Sequence, residues 1–255
     1  MKLYLLSGGR VDVDRAVIFP GDDSHRRVML PVMQVLLEGD GRRVLVDTGM
    51  PLPAAGDPEG LKKAYGMDPA WIRPLMSTEQ RVDAQLAALG MAPSDLELVV
   101  NTHFHFDHAG GNALFPGVTI AAQEAEIEAA RSSEGYLPVW DAPGLQFRVV
   151  RGDWEPIPGV EMLLTPGHTP GHQSMLVRMR AGTWLFTWDA VYTEEHWLSN
   201  TIGAVTDIPA ARASVERLRT IAEQEGARII FGHDIAQWEA LGMSAGGPRL
   251  VAADI

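Results

Sequence analysis

The chain of 255 residues contains no cysteine. That excludes disulfides, a thiolate nucleophile, iron–sulfur clusters and any zinc site built on sulfur, so a metal here would be held by nitrogen and oxygen. Basic residues are also short: 21 Lys and Arg stand against 33 Asp and Glu, for a formal net charge of −12. Nucleic acid and anionic membrane surfaces both select a basic patch, which leaves a small neutral molecule as the expected partner. No apolar run approaches the roughly 18 residues of a membrane span, and Met1-Lys2-Leu3-Tyr4-Leu5-Leu6 is too quickly followed by Ser7-Gly8-Gly9-Arg10 to be a signal core. A cytoplasmic location is the expectation.

What is present is ordinary globular composition, 46% hydrophobic and 21% charged, in a length that fits one large domain or two small ones. Leu3–Leu6 reads as a strand, with Gly8-Gly9 as a turn into Val11-Asp12-Val13. Met29–Leu37 is a long apolar strand, Glu38–Gly41 a hairpin turn and Val44–Val46 its return. Pro51–Pro74 lacks periodicity and is expected to be a long loop with one short helical turn. A helix opens at Ser77 and stops at Gly90, and the strand Leu96–Val100 follows. Val118–Ala121 and the Glu/Ala-rich helix Gln123–Ala130 repeat the alternation of strand and helix, which signals α/β layering. After an irregular stretch from Ser132 to Leu145, strands recur at Phe147–Val150, Val160–Leu164, Met175–Val177, Trp184–Thr187 and Ile229–Phe231, with a helix over Ile208–Glu225.

The densest chemistry lies in Thr102-His103-Phe104-His105-Phe106-Asp107-His108-Ala109-Gly110-Gly111-Asn112, directly after a buried strand. In extended backbone His103 and His105 point to one side, because strand side chains alternate. Asp107 and His108 diverge unless the chain turns, and Gly110-Gly111 supplies a turn. One segment therefore offers two ligands to one metal and two to another. Clusters of His and Asp at this spacing rarely occur without a metal.

Other strand ends carry the same residue types. His168 and His172 lie in Thr165-Pro166-Gly167-His168-Thr169-Pro170-Gly171-His172, where Pro170 and Gly171 forbid the helical pair of a zincin. One of the two is expected to face the metals; His168 follows the strand directly, and His172 reads as a structural hydrogen-bonding residue. Asp189 and His233 end two more strands, and Asp47 a third. Asp47 either caps its turn or orients a metal-bound imidazole from behind. His25 and His196, set among polar and acidic residues, read as exposed. A catalytic zinc keeps about three protein ligands and a water, so His103, His105, Asp107, His108, His168, Asp189 and His233 are too many for one ion and fit two with one shared carboxylate. Two such ions activate water for attack on an ester-like bond. Zinc is the first expectation, with cobalt, manganese or iron also compatible.

This pattern, together with Leu45-Val46-Asp47-Thr48-Gly49-Met50-Pro51, resembles the metallo-β-lactamase superfamily. The finer resemblance is to the quorum-quenching N-acyl-homoserine lactone lactonases. It is carried by the His103–Asn112 segment, Pro166–Ser174, Asp189-Ala190-Val191-Tyr192 and Phe231-Gly232-His233-Asp234. The resemblance implies an αββα sandwich of two mixed sheets flanked by helices, spanning residues 1–255 as one domain, monomeric or dimeric, acting on a small lactone. It also implies that His103, His105 and His168 bind one ion, that Asp107, His108 and His233 bind the other, and that Asp189 bridges them. A bridging hydroxide would attack the lactone carbonyl, Tyr192 would donate to the developing oxyanion, and Asp107 would pass a proton to the leaving alkoxide. Another lactone ring, or a glyoxalase II-like thioester, would suit the same machinery. For an acyl groove the pool is Val17, Ile18, Phe19, Tyr65, Met67, Trp71, Phe106, Tyr136 and Trp140.

Overall fold

Apolar residues occupy both alternating sets in the strands of this chain, so each sheet must be covered on both faces. A computed structural model, which describes residues 1–133 and 135–254, shows how. The strands are β1 (Lys2–Asp14), β2 (Arg27–Gly39), β3 (Arg42–Val46), β4 (Ile72–Leu75), β5 (Leu98–Val100), β6 (Thr119–Gln123), β7 (Gln146–Val150), β8 (Trp154–Ile157), β9 (Val160–Leu164), β10 (Gln173–Met179), β11 (Gly182–Trp188), β12 (Arg228–Phe231) and β13 (Arg249–Ala253). The helices are α1 (Gly60–Tyr65), α2 (Val82–Ala88), α3 (Phe106–Ala109), α4 (Glu124–Ser132), α5 (Glu194–Ser199), α6 (Ile208–Glu225) and α7 (Ile235–Ala240).

Among the described residues, eight strands form one sheet in the order β13-β1-β2-β3-β5-β6-β7, with β4 also paired to β1. Five form the other, β12-β11-β10-β9-β8. Both are mixed: β3, β5, β6 and β7 run parallel, as do β11 and β12, while the remaining pairs are antiparallel.

The period-2 alternation sorts the core into layers. Val35, Leu37, Val44, Val46 and Val100 meet Met175, Val177, Trp184, Phe186 and Ile230 between the sheets. Their sequence neighbours Leu36, Leu45 and Val99 face the other way, onto Val82 and Leu86 of α2. Leu176 and Leu185 likewise turn outward onto Leu218 and Ala222 of α6. The result is the expected sandwich of helix, sheet, sheet and helix. Each fully buried Leu or Val contributes about 1.5–3 kcal/mol from removal of apolar surface from water, so the double alternation is a strong constraint on register.

Three local readings need correction. Gly8-Gly9 is no turn: β1 runs through it, and the pair marks an irregularity where the register with β2 shifts between Ser7 and Arg10. The helix after Ser77 is split into a single turn over Thr78–Gln80 and then α2, because Arg81 adopts an extended ψ of 141°. The Pro51–Pro74 loop contains its helical turn as α1, and its end becomes β4, paired with Val11 and Val13. Within the irregular stretch after α4, Glu134 lies outside the described residues. No helix among the described residues is long and apolar enough to cross a membrane.

Candidate metal centre

The seven strand-end side chains converge at one edge of the sandwich. Those of the first sheet follow β5: His103 and then His105, the latter in extended backbone, come first, and Asp107 and His108 turn away on α3. Those of the second sheet follow β9, β11 and β12 as His168, Asp189 and His233. Two exits use left-handed backbone at non-glycine residues, Asp47 with φ of 63° and Trp188 with φ of 44°. Such conformations cost on the order of 1–3 kcal/mol and persist only when surrounding packing imposes them; here they turn one carboxylate inward at residue 47 and deliver another at residue 189.

The side chains form two groups of potential ligand atoms: His103, His105, His168 and Asp189, and separately Asp107, His108 and His233. In the first group His103 Nε2 lies 3.1 Å from His105 Nδ1 and 3.2 Å from His168 Nε2, while His168 Nε2 and His105 Nδ1 are 2.9 Å apart. Asp189 reaches into both groups. Its Oδ2 is 3.3 Å from His168 Nε2, and its Oδ1 is 3.2 Å from Nε2 of both His108 and His233.

The opposite nitrogens of four rings are committed elsewhere. His108 Nδ1 donates to Asp47 Oδ2 at 2.8 Å, His233 Nδ1 to the Pro31 carbonyl at 2.9 Å, and His168 Nδ1 to the Ala204 carbonyl at 2.9 Å. His103 Nδ1 faces Thr102 Oγ1 at 3.2 Å, and that hydroxyl itself donates to Asp47. Each acceptor fixes which nitrogen of the neutral ring is left free to ligate. In the first group lone pairs then face lone pairs, and in the second His108 Nε2 and Asp189 Oδ1 are buried without a hydrogen-bond partner. Divalent cations resolve this arrangement, and an all-nitrogen-and-oxygen donor set suits zinc, cobalt, manganese or iron.

Charge sorts the groups further. Burial pushes His103 well below its ordinary value and His168 down to about 4, so these rings are neutral and ready to ligate; it also pushes His172 down to about 3, which keeps that ring a neutral hydrogen-bonding group. Burial also opposes charge on His108 and His233, yet Asp189 and Asp107 overcome it and raise both. Ion entry into the second group must therefore displace protons. Asp189 stays well below the usual carboxylate range despite burial, because His233, His108 and His168 surround it.

Asp47 does what the second of its two readings required. It is fully buried, holds His108, and accepts the backbone N–H and hydroxyl of Thr102 at 2.7 Å each. His172 stands outside both groups: its Nε2 accepts the N–H of Asp189 at 3.2 Å, and its Nδ1 meets Thr165 Oγ1 at 2.9 Å. Tyr192, 5% exposed, places its hydroxyl 3.1 Å from the Ala204 carbonyl and 3.0 Å from His168 Nδ1.

A cavity of about 310 Å³ opens onto these residues. His105, Asp107, His168, Asp189, Tyr192 and His233 line its polar end. Its apolar walls include Val17, Ile18, Met67 and Phe106, as expected, but also Val11, Val13, Leu30, Ile72 and Leu137, which were not among the expected lining residues. The other expected lining residues are elsewhere. Trp71 is 70% exposed, Tyr65 packs with the hydrophobic cluster behind the wall, and Trp140 stacks on Phe104 with ring centroids 4.7 Å apart. Tyr136 sits beside His105, off the cavity wall, and Phe19 lines a neighbouring hollow.

His196 is corrected too: it is 2% exposed, not solvated. Its Nε2–H donates to the Ile18 carbonyl at 2.8 Å, its Nδ1 accepts from Thr193 Oγ1 at 2.8 Å, and Phe19 stacks on its ring. It thus ties the wall segment around Ile18 to α5. Burial lowers its pKa, although the Ile18 carbonyl and Glu195 oppose this, with Arg15 acting in the same direction as burial. A histidine held below its unfolded value contributes stability that is present above that value and lost as pH falls through it. Taking wild type from about one unit above the ordinary histidine value of ~6.5 to one unit below should therefore cost it more stability than the same change costs H196Q, as read by denaturant midpoints. Equal losses would contradict the assignment.

Comparison with known proteins places these features among relatives. The model of the family described as the metallo-beta-lactamase superfamily matches residues 28–233. An N-acyl homoserine lactonase of a Bacillus species is 40% identical over 237 residues, covering 92% of this chain and 94% of its own. The N-acyl homoserine lactonase AttM of Azorhizobium caulinodans is 33% identical over 260 residues, covering 96% and 98%. Among solved structures, an N-acyl homoserine lactone hydrolase with the product N-hexanoyl-L-homoserine at its catalytic metal centre superposes with a TM-score of 0.88. It is 36% identical to this chain, covering 94% of it and 95% of its own length.

Proposed function

Because the chain belongs to the metallo-β-lactamase superfamily, we propose that it hydrolyses the lactone ring of N-acyl homoserine lactones and thereby quenches quorum sensing, using two divalent ions of which zinc is the resident choice. The observation that carries this reading is the position of the two ligand groups at the polar end of an otherwise apolar cavity. A polar ring and an apolar acyl chain are the two halves of that substrate.

His103, His105 and His168 would hold one ion, Asp107, His108 and His233 the other, and Asp189 both. When bound, such ions polarise a carbonyl and bring the pKa of water toward neutrality. The protein's own groups do the rest. Ile18, Leu30, Met67 and Phe106 receive the acyl chain and exclude water from the reacting end. The Tyr192 hydroxyl donates a hydrogen bond to the carbonyl oxygen as negative charge gathers there. Burial, and then Asp189 and Asp107, hold that phenol well above its ordinary pKa, so it remains a donor across the working range. Asp107, at the cavity edge, takes a proton from the water that adds to the carbonyl and returns it to the ring oxygen as the alkoxide leaves.

Proton release in weak buffer with homoserine lactones from butanoyl to dodecanoyl, before and after chelation, tests the proposal. Ring opening that disappears with the metals is expected. Inactivity on every chain length by protein loaded with two ions, alongside hydrolysis of a thioester, would replace it with the thioester reading.

A further inference from the structure

Glu126 is a buried carboxylate that nothing in the reaction above uses. It lies in the first turn of α4 and is 1% exposed, whereas Glu128, two residues on, is exposed. Its two oxygens reach separate segments of the chain. Oε1 accepts the backbone N–H of Phe104 at 2.9 Å, and Oε2 accepts the backbone N–H of Gly171 at 3.0 Å. Phe104 stands between His103 and His105; Gly171 ends the turn that begins at His168. Through one side chain, both segments that supply nitrogen ligands to the first group are fastened to each other.

The packing is built for this contact. A side chain on Gly171 would place its Cβ 2.4 Å from the Glu126 backbone nitrogen and 2.8 Å from its Cα, so only glycine lets the loop approach closely enough for its N–H to reach the carboxylate. Thr169 and Tyr136 flank the same carboxyl group, and Tyr136 also packs against His105 with ring centroids 5.6 Å apart. The second group has no such link to Glu126: His108 is held by Asp47 and His233 by the Pro31 carbonyl.

We propose that Glu126 is a positioning residue that sets the affinity of the ion position formed by His103, His105 and His168, and leaves the position formed by Asp107, His108 and His233 largely unaffected. The proposal rests on the two-ion reading of the site, not on the identity of the substrate. An acyclic isostere makes the test sharp: in E126Q one oxygen acceptor remains, but the amide NH2 meets a backbone N–H as donor against donor, so one of the two segments loses its anchor.

The experiment is a chelator titration of cobalt-loaded wild type and E126Q, following the visible absorption of each ion, with H168A and H233A as spectral references. E126Q is expected to hold one ion as wild type does. It should bind the other about 10- to 100-fold more weakly, the range typical when a residue that orients metal ligands is replaced, and the weakened signal should be the one missing in H168A. Hydrolysis by E126Q should recover as free metal is raised, which a general folding defect would not allow. Equal weakening of both ions, weakening of the signal missing in H233A, or wild-type affinity at both positions would each overturn the proposal. If E126Q does not fold, E126D, which keeps both acceptors but draws them back by one methylene, is read by the same criteria. Wild type that binds two ions yet opens no lactone would remove the lactonase reading and leave this one standing.

Discussion

D189N should reduce lactone hydrolysis by about a thousandfold or more and strip metal from the purified protein. Asp189 is the carboxylate that touches both ligand groups, with His108 and His233 each 3.2 Å from one oxygen and His168 3.3 Å from the other. Removing one partner from a buried charged arrangement costs on the order of 3–5 kcal/mol, because the groups left behind remain desolvated. Expressed on a rate, that is roughly two to four decades. The amide keeps the shape of the carboxylate, and His172 still receives the residue 189 N–H, so the strand exit itself should survive. Metal analysis of the purified variant, alongside ring-opening rates at saturating substrate, checks this. Full metal content with full activity would show that Asp189 is not shared.

Y192F should behave differently: metal content unchanged, turnover lower by about 10²- to 10³-fold, the usual cost of deleting one preorganised donor to an oxyanion. The ring is held whether or not it carries the hydroxyl. It stacks against His233 with centroids 5.7 Å apart, and it occupies space beside Gly203 where a Cβ would lie 2.4 Å from a ring carbon. The variant therefore removes the hydroxyl, with its contacts to the Ala204 carbonyl and His168 Nδ1, and leaves the ring in place. If KM rises while turnover holds, the phenol binds substrate and transition state alike, and the oxyanion role is wrong.

Asp189 and the other metal-site candidates are legible because their signal is local, whereas Tyr192 stands out only through the family resemblance. A run of strand-forming residues ending in His or Asp beside glycine states both the side-chain type and the place where the strand delivers it. The α/β layering is legible in the alternation of strands and helices, whereas the αββα order is implied only by the family resemblance. The cavity walls are not legible. Val11, Val13 and Leu30 sit on β1 and β2 and read as interior strand residues, because alternation says which face a residue takes but not whether that face meets core or cavity. Of the aromatic loop residues, Trp71 is covered by solvent, and Tyr65 and Trp140 pack into hydrophobic clusters. His196 reads as exposed and Glu126 is not singled out by its sequence at all. Both stand among acids on short helices, and only the tertiary partner, the Ile18 carbonyl in one case and two loop amides in the other, explains their burial.

The division of ligands between the sheets has a consequence for how the molecule comes into being. His103, His105, Asp107 and His108 emerge from the ribosome well before His168, Asp189 and His233, and neither half of the chain carries a full set for either ion. A nascent first sheet can therefore offer only partial, weak sites, and tight loading must wait until β12 has been made and has docked. Since ligands that bind only the native state stabilise it, ions held in this way would act as late rivets across the sandwich. Metal starvation during synthesis would then leave the two sheets formed but poorly joined, a defect that metal supplied before aggregation could still repair.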